Sequence, residues 1–509
     1  MPSSPPSSSR DLRLISLSDL DKIFGIQRDV IPGSVYIVEE PKEETRSVEK
    51  PRAQTWRKVD LVVLPILSMM CFLSFLDRIN VGSARAAGMQ RDLQMSDLQY
   101  TTALTVTFIP YILCEIPSNL MLQALGAKYV LPGMITMWGV VALSTGFVKT
   151  YRTFIASRFF LGLFEGGLYP GVCLYLTYFY PRHKISFRYA PSNELGIALC
   201  GAFSGLLAFG IAQMSGVSNI RGWGWIFILE GLFTVIFGLL SFRLLPRSVE
   251  TMPLLDDKEK ESVIQVLKND SRNITETRVS ACREIINTFG GLHVWFGAGM
   301  AFALGTKLMG MFYITPAIVR SLGYNTEVKA QLMSVPPYAA GLLVTLVIGY
   351  LSDRLQQRGF MTIISNALCA IGFAVFLAST SDTVRYGSIF LMASGSYPSP
   401  VIVTAWMSNN SFPEARRATA IALQSMMASL GALLSVWLFG YLSPAPEHVA
   451  GTITLLALSG LEATLAGVNT IYLRKQNEKK VIARQFVELG DNKGINGHGD
   501  DSAWFVYTL

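Results

Sequence analysis

About twelve apolar runs, each near the roughly 20 residues a helix needs to cross a bilayer, divide this chain into two sets of about six. Between the sets lies one charged stretch, Arg247 to Glu284. A soluble chain cannot bury so many unbroken apolar segments. Lipid requires helices of this kind, because it offers no hydrogen-bond partner to an open backbone. The layout predicts an all-α membrane protein with twelve transmembrane helices in two pseudo-symmetric six-helix bundles.

The spans of the first half are expected at 59–77, 100–125, 129–148, 154–178, 193–214 and 225–245. Those of the second half are expected at 292–319, 330–352, 361–379, 386–407, 418–442 and 451–473. Around them the chain divides into an N-terminal tail (1–57), an N-terminal bundle (58–246), a central loop (247–288), a C-terminal bundle (289–474) and a C-terminal tail (475–509). The first tail is polar and rich in Ser and Pro, as disordered segments are, and no signal peptide opens it. Asp11 to Ile26 has the alternation of a short surface helix, against the plainer reading of a flexible tail.

An even number of spans puts both tails on one side. Lys and Arg at the helix ends set which side that is. With the tails cytoplasmic, the inner turns carry Arg182, Lys184, Arg188, Arg354, Arg358, Arg416 and Arg417, followed by Arg474 and Lys475. The outer turns hold Arg78, Arg85, Arg91, Lys149, Arg152 and Arg221, so the tails and the central loop decide the orientation. Two sequons in that loop, at Asn269 and Asn273, then carry no glycan.

Only 16% of residues are charged, and the net charge of +7 fits anchoring at the membrane surface rather than nucleic-acid binding. Cys71, Cys114, Cys173, Cys200 and Cys369 lie inside apolar runs, and Cys282 lies in the central loop. Their spacing forms neither a metal site nor a disulfide framework. The four histidines are scattered and no P-loop is present, so catalysis, a metal and a cofactor are not expected. The pairs Gly162/Gly166 and Gly201/Gly205, and the more widely spaced Gly341 and Gly349, suit close helix packing inside one bundle better than dimerisation. A monomer is expected.

Several motifs stand out in order along the chain: Phe75-Leu-Asp-Arg78-Ile-Asn80, Cys114-Glu-Ile-Pro-Ser-Asn119, and Arg158-Phe-Phe-Leu-Gly162-Leu-Phe-Glu165-Gly-Gly-Leu-Tyr169-Pro-Gly171. They continue with Gly349-Tyr-Leu-Ser-Asp353-Arg354-Leu-Gln-Gln-Arg358-Gly359, Tyr397-Pro-Ser-Pro400 with Trp406-Met-Ser-Asn409-Asn410, and a C-terminal Gly499-Asp500-Asp501-Ser-Ala-Trp-Phe505-Val-Tyr507. Together these resemble the major facilitator superfamily, and within it the anion:cation symporter family in its fungal allantoate/nicotinate permease branch. The resemblance runs from about Val59 to the end. It implies a secondary transporter for a small organic anion, working with protons by alternating access, in the plasma membrane. Proton-antiport export of a metabolite and non-transporting nutrient sensing are the alternatives.

Charged residues inside spans are expensive and persist where they have a use. Glu165 is the candidate proton carrier, with Arg158 two turns earlier; the competing reading pairs the two permanently. Lys307, near the centre of the seventh span, departs from the branch's uncharged pattern and needs an anion: Glu165 across the cavity or a substrate carboxylate, against the plainer reading of a fixed pair with an acidic residue. Arg78 is the second anion contact by resemblance, or else an outer-interface anchor paired with Asp77. Tyr111, Tyr169, Tyr397 and Trp406 are candidate cavity walls. Asp353, Arg354 and Arg358 form the superfamily's cytoplasmic hairpin. Asp353 is expected to pair with Arg416 or Arg417 as a gate, against plain topological anchoring. The matching turn of the first half, Asn119 to Lys128, lacks the Asp. Glu115 reads as a helix-end brace with Asn119, and Glu230 and Glu462 read as structural.

Overall fold

The computed structural model describes residues 51–181, 220–271, 281–321, 327–443, 449–488 and 504–509, with residues 500 and 502 and individual positions between 184 and 217. The expected helix at 11–26, most of the fifth span with Gly201 and Gly205, and the second sequon lie outside the described residues. Regular structure among the described residues is helical, without strands. The first half comprises α1 (Ala53–Ala86), a short α2 (Met89–Asp92), α3 (Asp97–Leu125), α4 (Ala127–Thr145), α5 (Tyr151–Glu165), α6 (Leu168–Thr177) and α7 (Gly222–Leu244). The central segment forms α8 (Asp257–Ser271) and α9 (Ala281–Gly290). The second half holds α10 (Leu292–Ser321), α11 (Glu327–Leu355), α12 (Arg358–Ala378), α13 (Asp382–Ser396), α14 (Pro398–Asn410), α15 (Glu414–Trp437) and α16 (Val449–Glu488). Among the described residues, 9 stretches are long and apolar enough to cross a membrane.

Local chemistry sets the helix ends. Ser96 and Gln99 cap α3 reciprocally, and Thr150 and Thr153 do the same for α5. Gly126, at φ +88°, makes the tight link from α3 to α4. The fourth span of each half is broken in two. In the first half the break falls at Gly166-Gly167, between α5 and α6. In the second it falls at Tyr397-Pro398, where a proline without an N–H opens α14.

Close backbone approach holds each half together, as expected where lipid supplies no hydrophobic drive between helices. A Cβ at Gly162 would lie 2.0 Å from the Thr107 carbonyl oxygen, and one at Gly166 would lie 2.4 Å from that of Tyr111, so α5 rests directly on α3. The two halves also share one apolar core, in which Leu131 and Leu174 of the first join Val401 and Ile421 of the second. Along this seam α3 packs against α15, and α6 meets α14 and α15.

The central segment docks onto both halves on one face, here the tail face. On α8, Glu259 pairs with Lys58 of α1 at 2.7 Å and accepts from Thr55 at 3.1 Å. The Lys58 hydrogen bond holds the Glu259 carboxyl below its ordinary range. On α9, Glu284 pairs with Arg416 at 2.9 Å. The stretch expected as a loop therefore holds two docked helices. No break occurs at 474 either, because α16 runs on to Glu488.

The last residues form a strap across this face. Trp406 Nε1 and Asn410 Nδ2 donate to the Thr508 carbonyl at 2.8 and 3.0 Å, and the Arg358 amide donates to that of Leu509. Asn477 and Tyr507 exchange two bonds, Lys480 donates to the Asp500 and Phe505 carbonyls, and the Asp500 carboxylate pairs with Arg416. Phe505 and Tyr507 are buried with Trp406 and Phe412. Replacing Phe505 by Ala should cost about 3–5 kcal/mol, the usual range for emptying a buried aromatic site. Thermal unfolding in detergent would show this as a lowered Tm, and an unchanged Tm would mean the strap adds nothing to the bundle.

Candidate functional site

Helix α1 places Ser74 and Arg78 one turn apart on the same face, opposite the end of α5. There Glu165 is the last residue before the Gly166-Gly167 break. Arg78 Nε and Nη2 both lie 2.9 Å from Glu165 Oε1, and Ser74 Oγ donates to the same oxygen. Tyr169, at the start of α6, donates to Ser74 Oγ at 3.0 Å. The Arg78 guanidinium lies against the rings of Tyr111 and Tyr169, with centroids at 5.0 and 5.3 Å. Glu165 is only 1% exposed, yet the Arg78 side chain keeps 31%. The carboxylate is thus sealed and the cation is open to a solute.

These placements revise several expectations. Helix α1 continues to Ala86, so Arg78 stands inside it rather than closing it. Asp77 accepts from Trp138 Nε1 in the first-half interior, and the ion-pair partner of Arg78 is Glu165. Glu165 takes Arg78 as its ion-pair partner in place of Arg158. The Arg158 guanidinium, 2% exposed, sits over the rings of Phe154 and Phe227 at 5.0 and 5.2 Å. Its Nε and Nη2 make no hydrogen bond among the described residues. Sequence spacing alone could not choose between the two arginines, since that choice depends on how α1 is rotated against α5.

Lys307 is fully buried and turned into the second half. Its ammonium lies 2.6 Å from Glu462 of α16 and donates to Asn366 Oδ1 of α12. Asn366 in turn donates to Ser399 of α14 at 3.3 Å. Of the readings the sequence allowed, the structure supplies the fixed acidic partner, from a residue read as merely structural. Both partner helices pack within the second half. This geometry does not bring Lys307 together with Arg78 and Glu165.

Of the aromatic candidates, Tyr111 and Tyr169 wall the Arg78 site. Tyr397 lies at the α13–α14 break and stacks on Tyr338 at 6.0 Å. Trp406, nine residues further along the tenth span, stands at the tail face, where its Nε1 bonds to the strap and its ring lines a small cavity with His293, Gly297 and Asn410.

The gating candidates gather on the tail face. Asp353 accepts from Arg358 Nη2 at 3.2 Å and, across the seam, from the Phe187 amide of the first half at 2.8 Å. Arg416 is engaged by Glu284 and Asp500, and Arg417 Nε donates to the Ser411 carbonyl at 3.3 Å. Arg354 ends α11. The left-handed residue of the hairpin is Gln356 (φ +56°), rather than the glycine. Gly359 instead lies in α12, where a Cβ would meet Thr470 Oγ1 at 1.9 Å. In the first half, Asn119 Nδ2 donates across the seam to the Ala418 carbonyl at 3.2 Å.

One residue was misplaced from sequence. Glu115 lies well inside α3, fully buried, and accepts from Ser425 and Ser429 of α15 at 2.9 and 3.3 Å. The available signal was its place within an unbroken apolar run. Among the described residues no group of three or more His, Cys, Asp and Glu side chains is gathered as a metal site.

Comparison with known proteins agrees with the fold. The family model described as Major Facilitator Superfamily matches residues 67–436 and 340–483. An uncharacterized transporter of Schizosaccharomyces pombe is 31% identical, over 94% of this chain and 97% of its own. The high-affinity nicotinic acid transporter of Saccharomyces cerevisiae is 28% identical, over 86% of this chain and 80% of its own. Among solved structures, the proton:xylose symporter XylE bound to 6-bromo-6-deoxy-D-glucose superposes with a TM-score of 0.64 at 16% identity. That match covers 82% of this chain and 95% of that one, and it speaks for the fold alone. With two six-span halves joined at a seam and a family match over most of its length, the chain belongs to the Major Facilitator Superfamily: it is a multi-pass membrane transporter, not an enzyme.

Proposed function

We propose that this transporter takes up a small organic anion together with protons by alternating access, as the anion:cation symporter branch implies. The observation that carries this reading is the Arg78–Glu165 pair, a sealed carboxylate holding a cation that is still exposed and walled by two tyrosines. A substrate carboxylate and Glu165 compete for the same guanidinium. Protonating Glu165 releases Arg78 to grip the incoming anion, and the net charge of the site stays constant. That constancy matters because an uncompensated charge in hydrocarbon is expensive. The proton and the anion then move as a neutral addition. Nicotinic acid, named for one relative, is a small carboxylate.

Closure on the tail face is supplied by Asp353 on the Phe187 amide and Asn119 on the Ala418 carbonyl. Both bonds join the halves and break when they rock apart. The basic residues gathered on this face favour tails in the cytoplasm of a plasma-membrane protein. In this reading Lys307 and Glu462 form a fixed internal pair that leaves substrate selection to the first half.

Uptake of labelled small carboxylates into proteoliposomes, with and without an inward proton gradient, tests the proposal. Arg78→Ala should reduce kcat/KM by roughly 30-fold or more, the effect of losing a buried charge contact of about 2–5 kcal/mol. Unaltered kinetics would remove Arg78 from the site. Glu165→Gln should retain substrate exchange but lose pH-driven accumulation; accumulation that still follows the proton gradient would assign coupling elsewhere. Lys307→Ala should destabilise the protein by about 3–5 kcal/mol through an orphaned Glu462. The double change Lys307→Met with Glu462→Leu should restore both Tm and the wild-type KM, and a KM still altered in that double variant would return Lys307 to the substrate site.

A further inference from the structure

Glu115 lies on the tail side of the Arg78–Glu165 site, on α3, facing α15 across the seam. One carboxyl oxygen accepts from two serines of the opposite half, Ser425 and Ser429, and the other has no hydrogen-bond partner among the described residues. Its residue is 0% exposed. No cation lies within ion-pair distance of it among the described residues. The charged group whose field reaches it is Arg78 of α1, already committed to Glu165; Tyr111, one turn back on α3, is the neighbouring titratable side chain. From α15 it meets only hydroxyls, and one turn further toward the tail face Asn119 bonds to the Ala418 carbonyl. An ionised carboxylate left in such a place carries the full cost of uncompensated charge at bilayer depth, whereas the neutral acid leaves one hydroxyl short of a partner. The serines satisfy either form on one oxygen only, so they do not remove that difference.

We infer that Glu115 is a second proton site, built between the halves, which holds its proton while the tail-face seam is closed and releases it when the seam parts. Opening would draw α15 away from α3, take both serines from the carboxyl and admit water, in which the ionised form is stable. The proton then leaves on the tail side, and closure requires a proton to be taken up again. Glu115 thereby links pH on the tail face to the conformational equilibrium, one proton per opening. The inference rests on the alternating-access reading above, but it does not depend on which solute is carried.

The test is a distance measurement that needs no substrate. Spin labels introduced through noncanonical amino acids at Leu125 and Leu355, both exposed on the tail face, report separation of the halves in proteoliposomes across pH 5 to 9. The wild type should pass from closed to open as pH rises, with the slope of a single proton. Glu115→Gln, which keeps an oxygen for both serines but cannot ionise, should lose that transition and remain closed. Glu115→Leu provides the same loss of titration in a form that needs no hydrogen bond, and Glu115→Asp should restore a pH response with a shifted midpoint. A wild-type transition retained in either non-titrating variant, or no transition in the wild type, overturns the inference. Failure of carboxylate uptake with the distance transition intact would instead count against the organic-anion assignment alone.

Discussion

A charge at bilayer depth is expensive without a counter-charge, and two buried ion pairs organise the interior of this protein. Arg78 meets Glu165 at the first-half break, and Lys307 meets Glu462 among the helices of the second half. The two pairs differ in one respect that decides their use. Lys307 and Glu462 are both fully sealed, so that pair can only be kept or broken as a unit. Arg78 stays open on one side, so its partner can be exchanged for another carboxylate. The same electrostatic demand therefore yields a fully sealed brace in one half and, in the proposed function, an exchangeable pair in the other.

The seam between the halves is held differently. Its contacts are neutral or single-sided: serine hydroxyls on Glu115, an amide on Asp353, an asparagine on a backbone carbonyl. Such bonds are each worth about 1 kcal/mol net, well below the cost of parting a buried ion pair. Under the alternating access proposed above, a joint that opens in every cycle is better served by several weak links than by one strong one. The strong links on the tail face, Arg416 with Glu284 and Asp500, instead bind the central segment and the C-terminal strap to the second half. That half can move as a body while the α8 helix stays with α1 through Lys58 and Glu259.

Much of this was legible in the chain because hydrocarbon is a strict solvent. The apolar runs located the spans, and Glu165 and Lys307 are conspicuous because each interrupts such a run, whereas Arg78 follows the first run and is singled out by the family resemblance. Their partners were not legible. Glu462 lies far along the chain from Lys307, and which residue faces it depends on the rotation of α10 against α16. Tyr397 and Trp406 share one span, and the distance along it carries Trp406 to the tail face, where it meets the strap. Glu115 reads as a brace beside Asn119 because its partners, Ser425 and Ser429, lie on a helix far along the chain that sequence alone does not bring to it.

From the order of its residues the chain was bound to become a membrane-spanning bundle of two halves with a few costly charges inside, because no other state solvates those segments. Pairing was settled by the folded arrangement: Glu165 with Arg78 rather than Arg158, Lys307 with Glu462 rather than a solute, Glu115 with the opposite half. The reason is geometric. An apolar run specifies that a helix forms and at what depth its residues lie, but in lipid every face of that helix is nearly as well solvated as the next. Which face turns inward is decided by where backbones can touch, as at Gly162 and Gly166, and by which buried polar groups then find one another.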